Sequence, residues 1–268
     1  GSVDVEITPI LTEGEATITV THPRRIPYVK NVLALPTEGP YLSIYGFNPK
    51  NFPVNQENKI TLTIRNVGND PVEGEAKVTL TSESEFLSFV DSEAVFTTLE
   101  AGSTLDLTDE FTFVLDKSLE DMEDVVVVAT IEYDTLEWKN KFAVKVDDPV
   151  IEYEGVDWDG EFEPGATYVL QAKFKNIGHY KAENAVVTAS SSSEYVTLKN
   201  TTSEVETIEV DGVGVFNFEV TIGDSCLLNE RMPIDFSFAA DNDIVSEGSY
   251  VLENTCELVF TLKDSYGD

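Results

Sequence analysis

The sequence predicts an all-β chain of two tandem immunoglobulin-like β-sandwich domains with partial modules at either end. Three observations carry this prediction. The first is a unit that occurs twice, about 110 residues apart. Ile60-Thr61-Leu62-Thr63-Ile64-Arg65-Asn66-Val67-Gly68 precedes Gly74-Glu75-Ala76-Lys77-Val78-Thr79-Leu80. Tyr168-Val169-Leu170-Gln171-Ala172-Lys173-Phe174-Lys175-Asn176-Ile177-Gly178 precedes Asn184-Ala185-Val186-Val187-Thr188-Ala189, with one residue of slippage. Each copy reads as a hairpin: an alternating strand, a turn, and a returning strand. In that turn Asn66 or Asn176 bonds locally, and Gly68 or Gly178 supplies a positive φ. A period this long is a domain repeat, too long for a solenoid.

The second observation is composition. Fifteen Phe and ten Tyr suit strands whose inward side chains fill the space between two sheets, and two Met with no long Ala, Leu, Glu and Lys run argue against helix. The third is spacing, since strand-like runs separated by turn residues recur along both halves as an immunoglobulin-like sandwich requires.

In chain order, residues 1–37 hold Val3, Val5 and Ile7 in alternation, then Ala16–Thr21 and Ile26–Leu33. Three strands cannot close a sandwich. They read as the closing strands of a preceding domain, or as a sheet packed on the first repeat. Pro36 to Pro40 is a turn-rich boundary. Repeat one, residues 38–147, opens at Tyr41 and ends in a hairpin whose strands are Val125–Tyr133 and Trp138–Val146, with a turn at Asp134-Thr135. Asp147-Asp148-Pro149 is the second boundary, where proline favours an extended preceding residue. Repeat two covers residues 148–253, and residues 254–268 do not continue it. The expected inward set is Ile60, Leu62, Ile64, Val78, Leu80, Phe111 and Phe113 in the first copy. In the second it is Leu170, Ala172, Phe174, Val187, Ala189, Phe216 and Phe218.

Fifty Asp and Glu against 17 Lys and Arg give a formal charge of −33. That field repels phosphate backbones and anionic lipid, so neither nucleic acid nor a membrane surface is an expected partner. No run of 18 or more apolar residues occurs, so membrane insertion is not expected either. Acidic side chains on solvent-facing strand positions keep such a chain soluble and its edges unpaired. No cofactor is expected. The alternative is Ca²⁺ in acidic loops such as Asp147-Asp148, Asp157-Trp158-Asp159, Asp241-Asn242-Asp243 or Glu120 to Asp124, although none has EF-hand spacing.

The chemistry-bearing inventory is small. His22 precedes a proline, and His179 stands in the repeated turn where the first copy has Asn69, so both read as turn residues. No nucleophile elbow, phosphate loop, zinc helix or Cys-x-x-Cys pair occurs, and no catalytic residue is assigned. Cys226 and Cys256 are the only cysteines. Their even count suggests one disulfide closing the last strands of repeat two, against two separate buried thiols. Trp138, Trp158 and Tyr180 are the candidate ligand-facing aromatics, with Trp158 equally able to fill a junction.

Residues 254–268 (Asn-Thr-Cys-Glu-Leu-Val-Phe-Thr-Leu-Lys-Asp-Ser-Tyr-Gly-Asp) resemble the opening of adhesin-type jelly-roll modules in large secreted Bacteroidetes proteins. Together with the repeated Asn-x-Gly unit and the Thr-His-Pro-Arg-Arg-Ile-Pro-Tyr-Val segment at 21–29, the chain resembles the region downstream of the catalytic domain in gingipain-type cysteine peptidases. The family's catalytic His and Cys motifs match no position here. What the resemblance implies is a secreted or cell-surface, multidomain parent, and a disulfide fits that setting. Two functions follow as expectations: a non-catalytic stalk whose partners are neighbouring domains of the same polypeptide, or an adhesin module binding host protein or glycan through sandwich loops.

Overall fold

The computed structural model describes residues 14–23, 26–34, 38–158, 163–226 and 230–253. The expected strand at Val3 to Ile7, Cys256 and the segment 254–268 lie outside the described residues. The architecture is nearly all β, and the described residues include no α-helix. The chain divides into two compact units, 1–118 with 124–145, and 119–123 with 146–268.

In the first unit, Gly14–Val20 (β1) and Tyr28–Ala34 (β2) pair with each other as an antiparallel hairpin. Leu42–Asn48 (β3), Asn51–Pro53 (β4), Glu57–Asn66 (β5), Val72–Thr81 (β6) and Leu87–Asp91 (β7) follow. Glu93–Leu99 (β8), Thr104–Leu115 (β9), Asp124–Tyr133 (β10) and Leu136–Asp147 (β11) complete the set. One sheet has the order β3-β5-β9-β7 and the other β4-β11-β10-β6-β8. The chain leaves β3 through a cis Asn48–Pro49 peptide and changes sheet to become β4.

The second unit uses Ile151–Trp158 (β12), Thr167–Asn176 (β13), Ala182–Ser190 (β14), Val196–Leu198 (β15) and Thr202–Ile208 (β16). Val213–Ile222 (β17), Arg231–Ala239 (β18) and Val245–Glu253 (β19) follow, the last two joined through a 3₁₀ turn at Asp241–Asp243. Its sheets are β12-β13-β17-β15 and β16-β14-β18-β19.

Why these strands form is visible in their period. β5 and β13 bury every second side chain, as a strand with one face on a core must. All fourteen expected inward residues are buried. In the second unit the core draws on both sheets and gathers Phe174, Phe216, Phe218, Phe236 and Phe238 at ring separations of 5.2–5.9 Å. The first unit is more aliphatic, with Phe52 edge-on to Phe113 at 5.0 Å. Full burial of each such ring contributes roughly 2–3 kcal/mol of transfer free energy.

The repeated unit itself is not a hairpin. β5 and β6 lie in different sheets, as do β13 and β14, so each Asn-x-Gly segment is a corner where the chain crosses from one sheet to the other. Both units also carry the same bulge, in β3 of the first and β12 of the second. Pairing slips between Ile44 and Gly46 in β3, and between Tyr153 and Gly155 in β12.

Candidate functional site

The crossing corners are the most highly organised polar feature of each unit. In the first, Asn66 is fully buried. Its Oδ1 accepts hydrogen bonds from the Gly68 N–H at 3.0 Å and the Tyr41 N–H at 3.2 Å, while Nδ2 donates to the Asp70 carbonyl at 2.8 Å and the Leu99 carbonyl at 3.2 Å. Asn176 repeats this bond for bond. Its Oδ1 accepts from Gly178 at 3.0 Å and Val150 at 3.3 Å, and Nδ2 donates to the carbonyls of Tyr180 at 2.6 Å and Ile208 at 3.3 Å. Each amide thereby satisfies four backbone groups that leave the sheets at the corner, where an unpaired buried group would cost about 1–3 kcal/mol.

Gly68 and Gly178 are required for a reason other than the expected one. Neither has a positive φ. A Cβ on Gly68 would lie 2.4 Å from the Tyr41 nitrogen and 2.5 Å from the Gly39 carbonyl oxygen; one on Gly178 would lie 2.3 Å from the Asp148 carbonyl oxygen and 2.4 Å from the Val150 nitrogen. The incoming chain packs backbone to backbone against each corner. Val67 N–H donates to the Tyr41 carbonyl at 2.8 Å, and Ile177 N–H donates to the Val150 carbonyl at 2.8 Å.

One position distinguishes the corners. In the first unit the Gly39 N–H is answered by Asp70 Oδ2 at 2.6 Å. In the second, Asp148 occupies the matching place, and its N–H donates to Asp121 Oδ1 at 2.9 Å. Asp121 belongs to Leu119–Glu123, held by a bond from Met122 N–H to the Val146 carbonyl at 2.8 Å and one from Val146 N–H to the Glu123 carbonyl at 2.9 Å. His179 Nδ1 lies 2.7 Å from the other Asp121 oxygen. Asp148 is 7% exposed, and its buried Oδ1 meets no hydrogen-bond partner among the described residues. Burial, with the Asp121 carboxylate beside it, pushes the Asp148 carboxyl up to about 7. The hydrogen bond that protonated His179 donates to the Asp121 carboxylate, and the charge of that carboxylate, raise His179.

Thus two acidic loops named as Ca²⁺ candidates, Asp147-Asp148 and Glu120 to Asp124, do meet. Among the described residues, however, no group of three or more His, Cys, Asp or Glu is arranged to hold a metal ion. The turn at Asp241–Asp243 is organised by positive-φ backbone at Asn242 and Asp243. His22 is exposed, with Nδ1 2.7 Å from the Pro23 carbonyl.

The candidate aromatics are not exposed loop residues. Trp138 is 7% exposed, stands on β11 and packs against Tyr41 with ring centroids 5.8 Å apart. Trp158 ends β12, edge-on to Tyr168 at 5.1 Å. Tyr180 is half-buried in the corner, where its carbonyl accepts from Asn176. Cys226 is buried with Sγ 3.7 Å from Met232 Sδ; its expected partner, Cys256, is outside the described residues.

What sequence reading missed is a trough in the first unit between β3 and β11, about 700 Å³ in volume. Trp138 and Asn140 line it from β11, and Tyr45, 65% exposed, lies on the opposite side. Asn140 Oδ1 accepts from Ser43 Oγ at 3.1 Å and from the Ile44 N–H at 3.2 Å, joining the two sheets across the opening. Phe47 and Phe142 meet at 4.6 Å, with Lys50 over the Phe47 ring at 3.3 Å.

Comparison with known proteins finds distant likeness to solved structures and nothing else. No family model and no curated protein matches the chain. Among solved structures, a red sea bream transglutaminase is similar at 11% identity and TM-score 0.32, over 82% of this chain and 31% of that one. A Porphyromonas gingivalis W83 protein of unknown function is similar at 13% identity and TM-score 0.27, over 79% of this chain and 99% of that one. This chain spans under a third of the transglutaminase, and similarities this distant carry no inference about fold or function. Among the described residues no helix is long and apolar enough to cross a membrane.

Proposed function

We propose that this chain is a non-catalytic structural region of a large secreted or cell-surface protein of the gingipain-like kind, and that its sandwiches space and present neighbouring modules. The observation that carries the reading is the asparagine clamp, built twice from the same four backbone bonds at the same crossing corner. The clamp fixes where the incoming chain enters each sandwich. A device repeated at that point serves to set module geometry, and it positions no reactive group.

The β1–β2 hairpin extends the pattern. At a constant offset of 109 residues, Lys30-Asn31, Ala34, Pro40 and Gly46 coincide with Lys139-Asn140, Ala143, Pro149 and Gly155. β2 thus stands before β3 as β11 stands before β12, which supports residues 1–37 as the closing strands of a preceding sandwich. The reading requires no cofactor, and its partners are neighbouring domains of the same polypeptide.

The test is incubation of the chain with casein and a broad peptide library under reducing conditions. No cleavage is expected. Turnover that disappears in Cys226→Ala or Cys256→Ala would refute the proposal.

A further inference from the structure

We infer that the trough beside β11 is a docking groove for an extended acidic peptide, which adds as a strand to the open edge of β11 with acidic and apolar residues alternating. The edge is free for geometric reasons. Lys145 N–H points away from β10 and donates to the Lys50 carbonyl at 3.0 Å. Strand period places the backbone groups of Ala143, Lys141, Lys139 and Glu137 on that same outward side. β4, the strand that pairs with this edge, is only three residues long. The remaining edge continues an interface that the molecule already makes.

The opposite wall does not compete for the incoming strand. The outward N–H of Ile44 on β3 is already taken by Asn140, leaving the β11 edge as the receptive one. A strand laid on β11 would send alternate side chains to two different surfaces. One set enters the trough over Phe47 and Phe142. The other lies beside Lys139 and Lys141, which are exposed on the outer face of β11.

Charge selects the occupant. Lys50, Lys139 and Lys141 line the trough against one acid, Glu137, which pairs with Lys139 at 2.8 Å. This cationic strip lies in a chain of formal charge −33. Edge lysines also discourage self-association of sheets. Here they flank a trough floored by Phe47 and Phe142, with Lys50 over the Phe47 ring, which a blocking role does not require. Main-chain pairing supplies affinity and the alternating pockets supply selectivity, as in other strand-addition complexes.

The test uses the full chain and a fluorescein-labelled peptide, Gly-Val-Glu-Val-Glu-Val-Gly, read by anisotropy. Saturable binding is expected, with the double variant K139E/K141E weakening it about tenfold. The lysine-for-glutamate peptide should bind the parent poorly and the variant better. Methylating the peptide amides on one edge should abolish binding, and methylating those on the other edge should leave it intact, a readout that needs no protein variant. No binding, indifference to charge reversal, or equal tolerance of both methylated peptides would overturn the inference. So would displacement by neutral oligosaccharides, which would make the trough a glycan site, or a concentration-dependent dimer lost in K139E/K141E, which would make a second copy the occupant.

Discussion

The two sandwiches close the same lateral seam in opposite ways. In the first unit, Ile44 of β3 faces β11, and the polar amide of Asn140 spans the gap. In the second, the residue at the matching offset is Tyr153, whose ring lies beneath Gly248 of β19 and contacts Phe174 and Phe236 at 5.4 and 6.1 Å. An aromatic ring plugs the second seam, and the recess beside it, about 630 Å³, is lined by Tyr153 itself with Thr188, Asp235, Ser237 and Glu247. An amide clamp joins the first seam without filling it. The difference shows how one scaffold takes an aromatic plug at the seam in one copy and an amide clamp in the other through a few side chains.

The largest expected effect tests what the copies share. Asn66→Ala and Asn176→Ala each strip four buried backbone groups of their partner, and each should destabilise its own unit by about 3–5 kcal/mol. Two resolved thermal transitions, with only the altered unit shifted, are expected in calorimetry. A variant melting like the parent would remove the clamp from the account.

The second test is confined to the filled seam. Gly248→Ala places a Cβ 2.4 Å from the Tyr153 ring, so the ring must move or leave the core, at a cost of about 2–3 kcal/mol. The Gly248→Ala, Tyr153→Ile double variant should recover part of this loss by removing the clash. Chemical denaturation of both variants decides it.

The third contrasts the two corners through pH. Asp148 has its folded value raised to about 7, so the folded second unit holds a proton that the unfolded chain releases near its ordinary value. That contribution is complete at low pH and is lost as pH rises through about 7. His179, raised by Asp121, stabilises below its ordinary range and loses that contribution as pH rises through its folded value. Both groups therefore make the second unit less stable from mildly acidic to mildly alkaline solution. The first unit, with Gly39 in place of Asp148, lacks this device. Asp148→Asn should flatten the second transition's pH dependence and raise its stability at pH 8 by about 2 kcal/mol, after allowance for water and relaxation near the carboxyl. An unchanged pH profile in that variant would show that Asp148 stays ionised.

The smallest effect belongs to the open seam. Asn140 is half-buried, and water can replace its bonds, so Asn140→Ala should cost the first unit about 1 kcal/mol. A loss as large as that at Asn66 would mean that the clamp, and not the hydrophobic core, holds β3 in place.

Much of this was legible in the sequence. The period-two alternation around Ile60 to Ile64 and Leu170 to Phe174 determined both strands and their buried faces, because burying one face of a sheet admits only one phase of the pattern. The duplicated Asn-x-Gly segments announced two domains of one kind. Their meaning did not follow locally, since strand, turn and strand look alike whether the second strand pairs with the first or crosses to the opposite sheet. Only the partners of Asn66 and Asn176, contributed by residues up to 33 positions away, identify a corner. The glycines likewise answer to a distant backbone rather than to their own φ. Asp121, Asp148 and His179 carry no local motif, being separated by 27 and 58 positions in their two contacts through Asp121. Tertiary structure alone placed them together, and it alone left the β11 edge open, because a three-residue β4 covers only part of a twelve-residue strand. Side-chain period is a property of neighbouring residues and can be read along the chain; hydrogen-bond satisfaction and close approach are properties of space, and the fold decides them.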